Sequence, residues 1–206
     1  MSNPIISESD GGVSIIRFNN AAERNPLSVA VMEKIRAQLV RIEADNSINA
    51  VIITGSDRFF ASGADLREIA EVSAAGAGDF ARLGQALMFR IAEFRKPIAA
   101  AVNGLCFGGA FDLALSCHRR VASPDAVFCH PGVGLGIITG WGGTQRLPKL
   151  VGQGYALEIL LTARRVTAAE ALEMGLVEQI SASPVETLMS DFEFIPANSA
   201  NKQSSI

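Results

Sequence analysis

The chain has 206 residues, 49% of them hydrophobic, and a formal net charge of -3. That supplies apolar material for one sizeable core, so a single main domain is expected. The absence of a basic excess speaks against nucleic-acid binding and against docking on an anionic membrane. No apolar run approaches the ~20 residues of a membrane span, and MSNPIISESDGG carries no secretory signal pattern. Cys106, Cys117 and Cys129 sit in apolar stretches without CxxC or His/Cys clustering. They are expected to be small buried side chains in a reducing compartment, and no metal site is expected. The expectation is a soluble cytoplasmic protein.

In chain order, residues 13–18 (VSIIRF) form a β-rich run after a Gly-Gly turn. Residues 28–45 place Val31, Ile35, Leu39 and Ile42 at helical spacing behind Ser28, a suitable N-cap. The unbroken apolar runs 50–55 and 97–102 suit buried strands, and 79–94 between them suits an amphipathic helix. A helix is expected over 108–117, directly after a Gly-Gly pair, then short strands at 119–123 and 126–130. Gly142 and Gly143 are expected to shape a turn before a helix near Thr144. Helices at 153–163 and 167–174 and a strand over 176–180 follow. Strands alternating with helices imply an α/β fold with parallel pairing. Residues 1–184 are assigned to this domain, and the polar stretch 185–206 to a loosely ordered tail.

Two segments carry the chemistry: FFASGADL (59–66) and AVNGLCFGGAFDLAL (101–115). Each follows an apolar strand. Small residues at a strand-to-helix turn leave backbone N–H groups uncovered, and a helix N-terminus adds partial positive charge. Two such turns facing one another can hold a carbonyl oxygen between two donors. Loss of one such donor typically costs roughly 3 kcal/mol in the transition state. The alternative is tight packing of helix on sheet. Neither segment matches a nucleotide-binding fingerprint.

FFASGADL, KPIAAAVNGLCFGGAFDLAL, GWGGTQRLPKLVG and LTARRVTAAEALEMGLVEQI, in this order and spacing, resemble the crotonase superfamily of enoyl-CoA hydratases and isomerases. The resemblance runs from about Val13 to about Leu188. It implies a crotonase-like spiral of ββα repeats, assembled as a homotrimer or a dimer of trimers. It also implies an acyl-CoA thioester as the partner molecule, with no separate cofactor, because coenzyme A is part of the substrate. The two oxyanion-hole amides fall on Ala64 and Gly109. The CoA-contacting stretch falls on Ser62, Ala64, Asp65, Leu66 and Arg67, with Arg24 near the pocket entrance and Gly108 beside the second amide. Arg24 and Arg67 either reach CoA phosphates or are solvated surface arginines. Asp65 suits a helix cap better than a catalyst.

Family hydratases hold water between two glutamates, whose positions match Asp112 and Gly132 here. Asp112 keeps a carboxylate, one methylene shorter; Gly132 offers none. Asp112 is read as the general acid/base, with stabilisation of the helix dipole as the alternative. Hydration would need Asp112 plus an ordered water, a bound anion or His130. His130 either leans into the pocket or is a packed or solvent-facing side chain, and His118 is read as surface. Trp141 either lines the acyl pocket or packs the turn. The helices that usually follow in the family are not matched after Pro184, so a truncated C-terminal helical region is expected. The resulting reading is an enoyl-CoA hydratase or isomerase. Its alternatives are a non-catalytic acyl-CoA binder, or a thioesterase or decarboxylase on the same scaffold.

Overall fold

The structure, a computed structural model, describes residues 3–193. It opens with an antiparallel pair, β1 (Ile5–Asp10) and β2 (Val13–Phe18). A short 3-10 turn (Ala21–Glu23) and β3 (Pro26–Leu27) lead into α1 (Val29–Ala44). The Ser28 hydroxyl caps α1 by accepting from the Val31 N–H, as its position predicts. Val31, Ile35, Leu39 and Ile42 are buried along one face of this helix.

The core of the fold is a repeated pattern. β4 (Ala50–Thr54) and β5 (Phe59–Ala61) come first, then β6 (Gly63–Ala64), α2 (Leu66–Glu71) and α3 (Ala77–Ala92). β7 (Ile98–Val102) and β8 (Leu105–Phe107) precede α4 (Gly109–Ser116). β9 (Arg119–Ala122) and β10 (Val127–Cys129) precede a 3-10 turn over Pro131–Leu135 and α5 (Gly143–Thr162). Helix α5 is kinked at Gly152, whose backbone is non-helical (φ 80°, ψ 163°), so it contains both helices expected near Thr144 and over 153–163. β11 (Val166–Thr167), α6 (Ala168–Glu173), β12 (Gln179–Ile180) and α7 (Pro184–Glu193) complete the described chain.

The first strand of each unit joins a six-stranded sheet ordered β1-β2-β4-β7-β9-β12. The second joins a four-stranded sheet ordered β11-β10-β8-β5. β2, β4, β7, β9 and β12 run parallel to one another, as do β5, β8 and β10, while β1 and β11 pair antiparallel at the sheet edges. Strand to one sheet, strand to the other, then helix is the ββα spiral the resemblance implied.

Alternation along the larger sheet divides its side chains between two cores. Ile16, Val51, Ile53, Ile98 and Ala100 face the main core with the helices. Val13, Ile15, Ala50, Ile52, Ala99 and Ala101 face a second core, closed by Leu188 and Phe192. Burial on both faces is why these strands are unbroken apolar runs.

The second core corrects the expected loose tail at 185–206. Residues 184–193 form α7, with Leu188 fully buried and Val185 and Met189 packed beside it. The remainder of that stretch, 194–206, lies outside the described residues. Leu188→Ala is expected to cost about 2–5 kcal/mol, because it opens a cavity in a closed core. Urea denaturation measures it; a cost under ~0.5 kcal/mol would mean that α7 does not cover the sheet.

Candidate active site

Two backbone segments meet at one point. The chain leaves β5 through Ser62, whose N–H donates to the Arg24 carbonyl at 2.9 Å, and β6 pairs with β3. Gly63 has φ 94°, and a Cβ there would lie 2.6 Å from the Phe107 oxygen and 2.9 Å from the Gly109 nitrogen. Only glycine permits both the left-handed turn and this approach. Ala64 is thereby set next to the start of α4. Gly108 (φ 53°, ψ -123°) turns the chain into that helix, and Gly109 is its first residue, whose N–H has no acceptor within the helix.

Ala64 and Gly109 line one cavity of about 440 Å³, together with Ser62, Gly108, Asp112 and Gly132. Leu66, Ile69, Val72 and Phe80 contribute an apolar wall from α2, α3 and their connection, and Ile137, Ile138 and Trp141 a second wall from the segment before α5. Leu66 stands at the rim, 58% exposed. Trp141 does both things expected of it as alternatives, since it lines the cavity and is only 4% exposed.

Asp112 is the single carboxylate on this cavity among the described residues. It sits one turn into α4, with Oδ2 accepting from the Thr139 hydroxyl and Oδ1 left without a hydrogen-bond partner. The bare backbone of Gly143 approaches so closely that a Cβ there would be 2.2 Å from Oδ1. Burial pushes the carboxyl up to about 6; the Thr139 hydroxyl and, more weakly, the Trp141 and Gly143 amides oppose the rise. The group therefore titrates close to neutrality, as a proton carrier must.

Three residues named from the sequence do not line the cavity. His130 does not line the cavity: it is buried, its ring stacks on Phe111 with centroids 4.6 Å apart, and Nε2 is 3.5 Å from Asp112 Oδ1 without a hydrogen bond. Burial pushes its imidazole down to about 4, so it is neutral at physiological pH. Arg67 does not line the cavity, and its side chain is engaged elsewhere. Its guanidinium grips Asp65 through Nε at 3.0 Å and a terminal nitrogen at 2.7 Å, and reaches Glu23 at 2.8 Å. Asp65 in turn caps α2 by accepting from the Arg67 N–H at 2.9 Å. The Arg67 hydrogen bonds hold the Asp65 carboxyl below its ordinary range. Arg24 is exposed with left-handed backbone (φ 64°) and contributes its carbonyl to Ser62, not its side chain to the cavity.

Gly132 lines the cavity, but the direction its side chain would take is occupied. A Cβ there would lie 2.8 Å from the Ile137 oxygen, and the Ile137 N–H donates to the Gly132 carbonyl at 3.0 Å. Thr139, Phe80 and the loop isoleucines escaped the sequence reading. Thr139 offers one signal, a lone hydroxyl inside the apolar run GIITGW. The cysteines are free and buried, and His118 is exposed, as expected. Among the described residues no group of acidic, His or Cys side chains is placed to hold a metal, and no helix is long and apolar enough to cross a membrane.

An apolar pocket with backbone donors at a helix start and one buried carboxyl, on a spiral of ββα units, defines a class of site suited to an activated carbonyl. The family described as Enoyl-CoA hydratase/isomerase matches residues 8–202. The chain is 39% identical over 179 residues to a short-chain-enoyl-CoA hydratase of Clostridium acetobutylicum, covering 86% of this chain and 69% of that protein. It is 40% identical over 177 residues to a crotonyl-CoA hydratase of Syntrophomonas wolfei, covering 85% and 68%. The crystal structure of an enoyl-CoA hydratase from Bacillus anthracis superposes with a TM-score of 0.87 at 33% identity, covering 93% of this chain and 75% of that one. The chain belongs to the enoyl-CoA hydratase/isomerase family.

Proposed function

We propose that this protein binds an enoyl-CoA thioester, polarises its carbonyl with the Ala64 and Gly109 amides, and moves a proton with Asp112. The observation that carries the reading is the convergence of these three residues on one apolar cavity. In double-bond isomerisation the Asp112 carboxylate takes a proton from C2 of a 3-enoyl thioester. The electron pair is held as a dienolate against the two amides, and the same carboxyl returns the proton to C4. Negative charge develops on the thioester oxygen, where preorganised N–H donors act most strongly. The step needs no cofactor beyond the CoA carried by the substrate.

Hydration is the second reading, favoured by the names of the relatives. It requires a water to be activated as well as a proton delivered, and Asp112 is the one carboxylate lining the cavity among the described residues. Product analysis separates the two: a 3-enoyl-CoA converted to the conjugated ester supports isomerisation, and crotonyl-CoA converted to 3-hydroxybutyryl-CoA supports hydration. Binding of acyl-CoA without turnover of either would reject both. A cytoplasmic setting fits the three free thiols. A homotrimer or dimer of trimers would bury exposed Leu157 and Leu161, one turn apart on α5, and light scattering tests it.

Installing the family's second carboxylate is expected to fail. Gly132→Glu places its Cβ against the Ile137 carbonyl, so the loop must shift at a cost of about 1–3 kcal/mol. Lower thermal stability without a gain in crotonyl-CoA hydration is the expected result, and a clear gain would show that the loop accommodates the side chain.

A further inference from the structure

We propose that Trp141 sets the acyl selectivity of the cavity: its indole closes the space between α3 and α4, so that the site admits a short, uncharged acyl chain and turns away longer ones. The proposal rests on the reading that the cavity holds the acyl end of a CoA thioester.

The indole lies in a slot with two bare walls. One is Gly84, in the interior of α3, where a Cβ would lie 2.2 Å from the indole Nε1. The other is Gly109, at the start of α4, where a Cβ would lie 2.2 Å from Cζ3. Glycine inside a helix is unfavourable relative to alanine, so its presence at Gly84 needs a reason, and the indole supplies one. Phe80, one turn earlier on α3, leans on the same ring at 5.9 Å between centroids. Helices that would otherwise close on one another are held apart by one aromatic side chain, whose free edge is cavity wall.

The cavity of about 440 Å³ must hold the thioester as well as the chain attached to it. The wall from α2, α3 and their connection is Ile69, Val72, Ala77, Phe80 and Ala81, all apolar. Among the described residues no Lys, Arg or His lines the cavity, and its one ionisable group is acidic. A carboxylated acyl group would lose its hydration and gain no counter-charge there. The substrate class is therefore a plain hydrocarbon enoyl thioester, with length limited by the indole.

The test is a chain-length series. kcat/KM is measured with crotonyl-, hexenoyl-, octenoyl- and decenoyl-CoA, as 2-enoyl esters for hydration and as the 3-enoyl esters of the same lengths for isomerisation, for the wild type, Trp141→Ala, Gly84→Ala and the double variant. A methylene that a pocket cannot accommodate typically costs at least about 10-fold. Trp141→Ala is expected to raise the decenoyl-to-crotonyl ratio by about that factor or more. Gly84→Ala, which drives a methyl into the indole, is expected to lower the ratio, and to lose this effect when Trp141 is also Ala. A ratio unchanged in Trp141→Ala, with all substrates affected equally, overturns the proposal and leaves Trp141 a packing residue. Should Trp141→Ala fail to fold, Trp141→Leu is read in the same series.

Calorimetric Kd values for butyryl- and decanoyl-CoA give the same ratio without turnover. Binding without turnover would reject the proposed reaction while the Kd ratio still decides on Trp141. Absence of binding by any acyl-CoA would overturn both.

Discussion

Asp112→Asn is expected to lower kcat on enoyl-CoA by about 10²–10⁴-fold, the usual worth of a positioned acid/base, and at the same time to make the protein more stable at neutral pH. Both effects come from one cause. Burial lifts the Asp112 carboxyl from its ordinary 3.8 to about 6, so the folded state favours its protonated form. A group whose pKa rises on folding contributes stability that is complete below the unfolded value and is lost as pH climbs through the folded value. Above pH ~6 the fold carries an ionised carboxylate with only partial compensation, at a cost of roughly 3 kcal/mol by the conversion of about 1.4 kcal/mol per pH unit. Asparagine keeps an oxygen for the Thr139 hydroxyl and has no charge to bury. The stability gain of the variant should therefore be absent near pH 4, grow between pH ~4 and ~6, and level off above. Wild-type kcat should rise over the same window, because the carboxylate form is the one that takes the proton. Urea titrations at several pH values and a pH–rate profile measure the two curves. A variant that retains wild-type kcat removes Asp112 from the reaction; a stability gain that ignores pH removes burial as the reason for its titration.

The fold was legible where burial is one-sided or complete. Val31, Ile35, Leu39 and Ile42 carry the helical period of α1, and the runs of β4 and β7 are continuous because both sheet faces are covered. Edge elements were not legible. β1 buries Ile5 alone, and its other five side chains are exposed, so no alternation marks it as a strand. β8, which lies inside the smaller sheet, was missed for its length: three residues are too few for any period. Helix α7 was missed for a different reason. Val185, Leu188, Met189 and Phe192 follow the i, i+3, i+4, i+7 spacing, but the polar residues around them dominate the composition. At the site, Ala64, Gly109 and Asp112 were placed together by their motifs. What could not be read is what reaches them from distant segments. Thr139 contacts Asp112 only because the loop from Pro131 folds back onto α4, and His130 is turned from the cavity by its stack on Phe111. The space at Gly132 is filled by the carbonyl of Ile137, a contact no side-chain pattern encodes.

Gly143→Ala should cost about 10²-fold in kcat although the residue has no reactive group. Its backbone is the floor on which the Asp112 carboxyl rests. A Cβ there would lie 2.2 Å from Oδ1, 2.8 Å from the Thr139 Cγ2 and 3.0 Å from the His130 Nε2. All three groups are hemmed in: the carboxyl by the Thr139 hydroxyl, the imidazole by Phe111. The methyl can be accommodated only if Asp112 leaves its position, and misplacing a catalytic group by ~1 Å typically costs that factor. Backbone strain is not the cause, since Gly143 begins α5 without the positive φ of Gly142, and alanine is the better helix former there. A pure packing defect would instead lower the melting temperature and leave kcat per folded molecule intact. Measured together, kcat and the melting curve distinguish the two. Full kcat in Gly143→Ala would mean that Asp112 acts from a position other than the one beside this glycine.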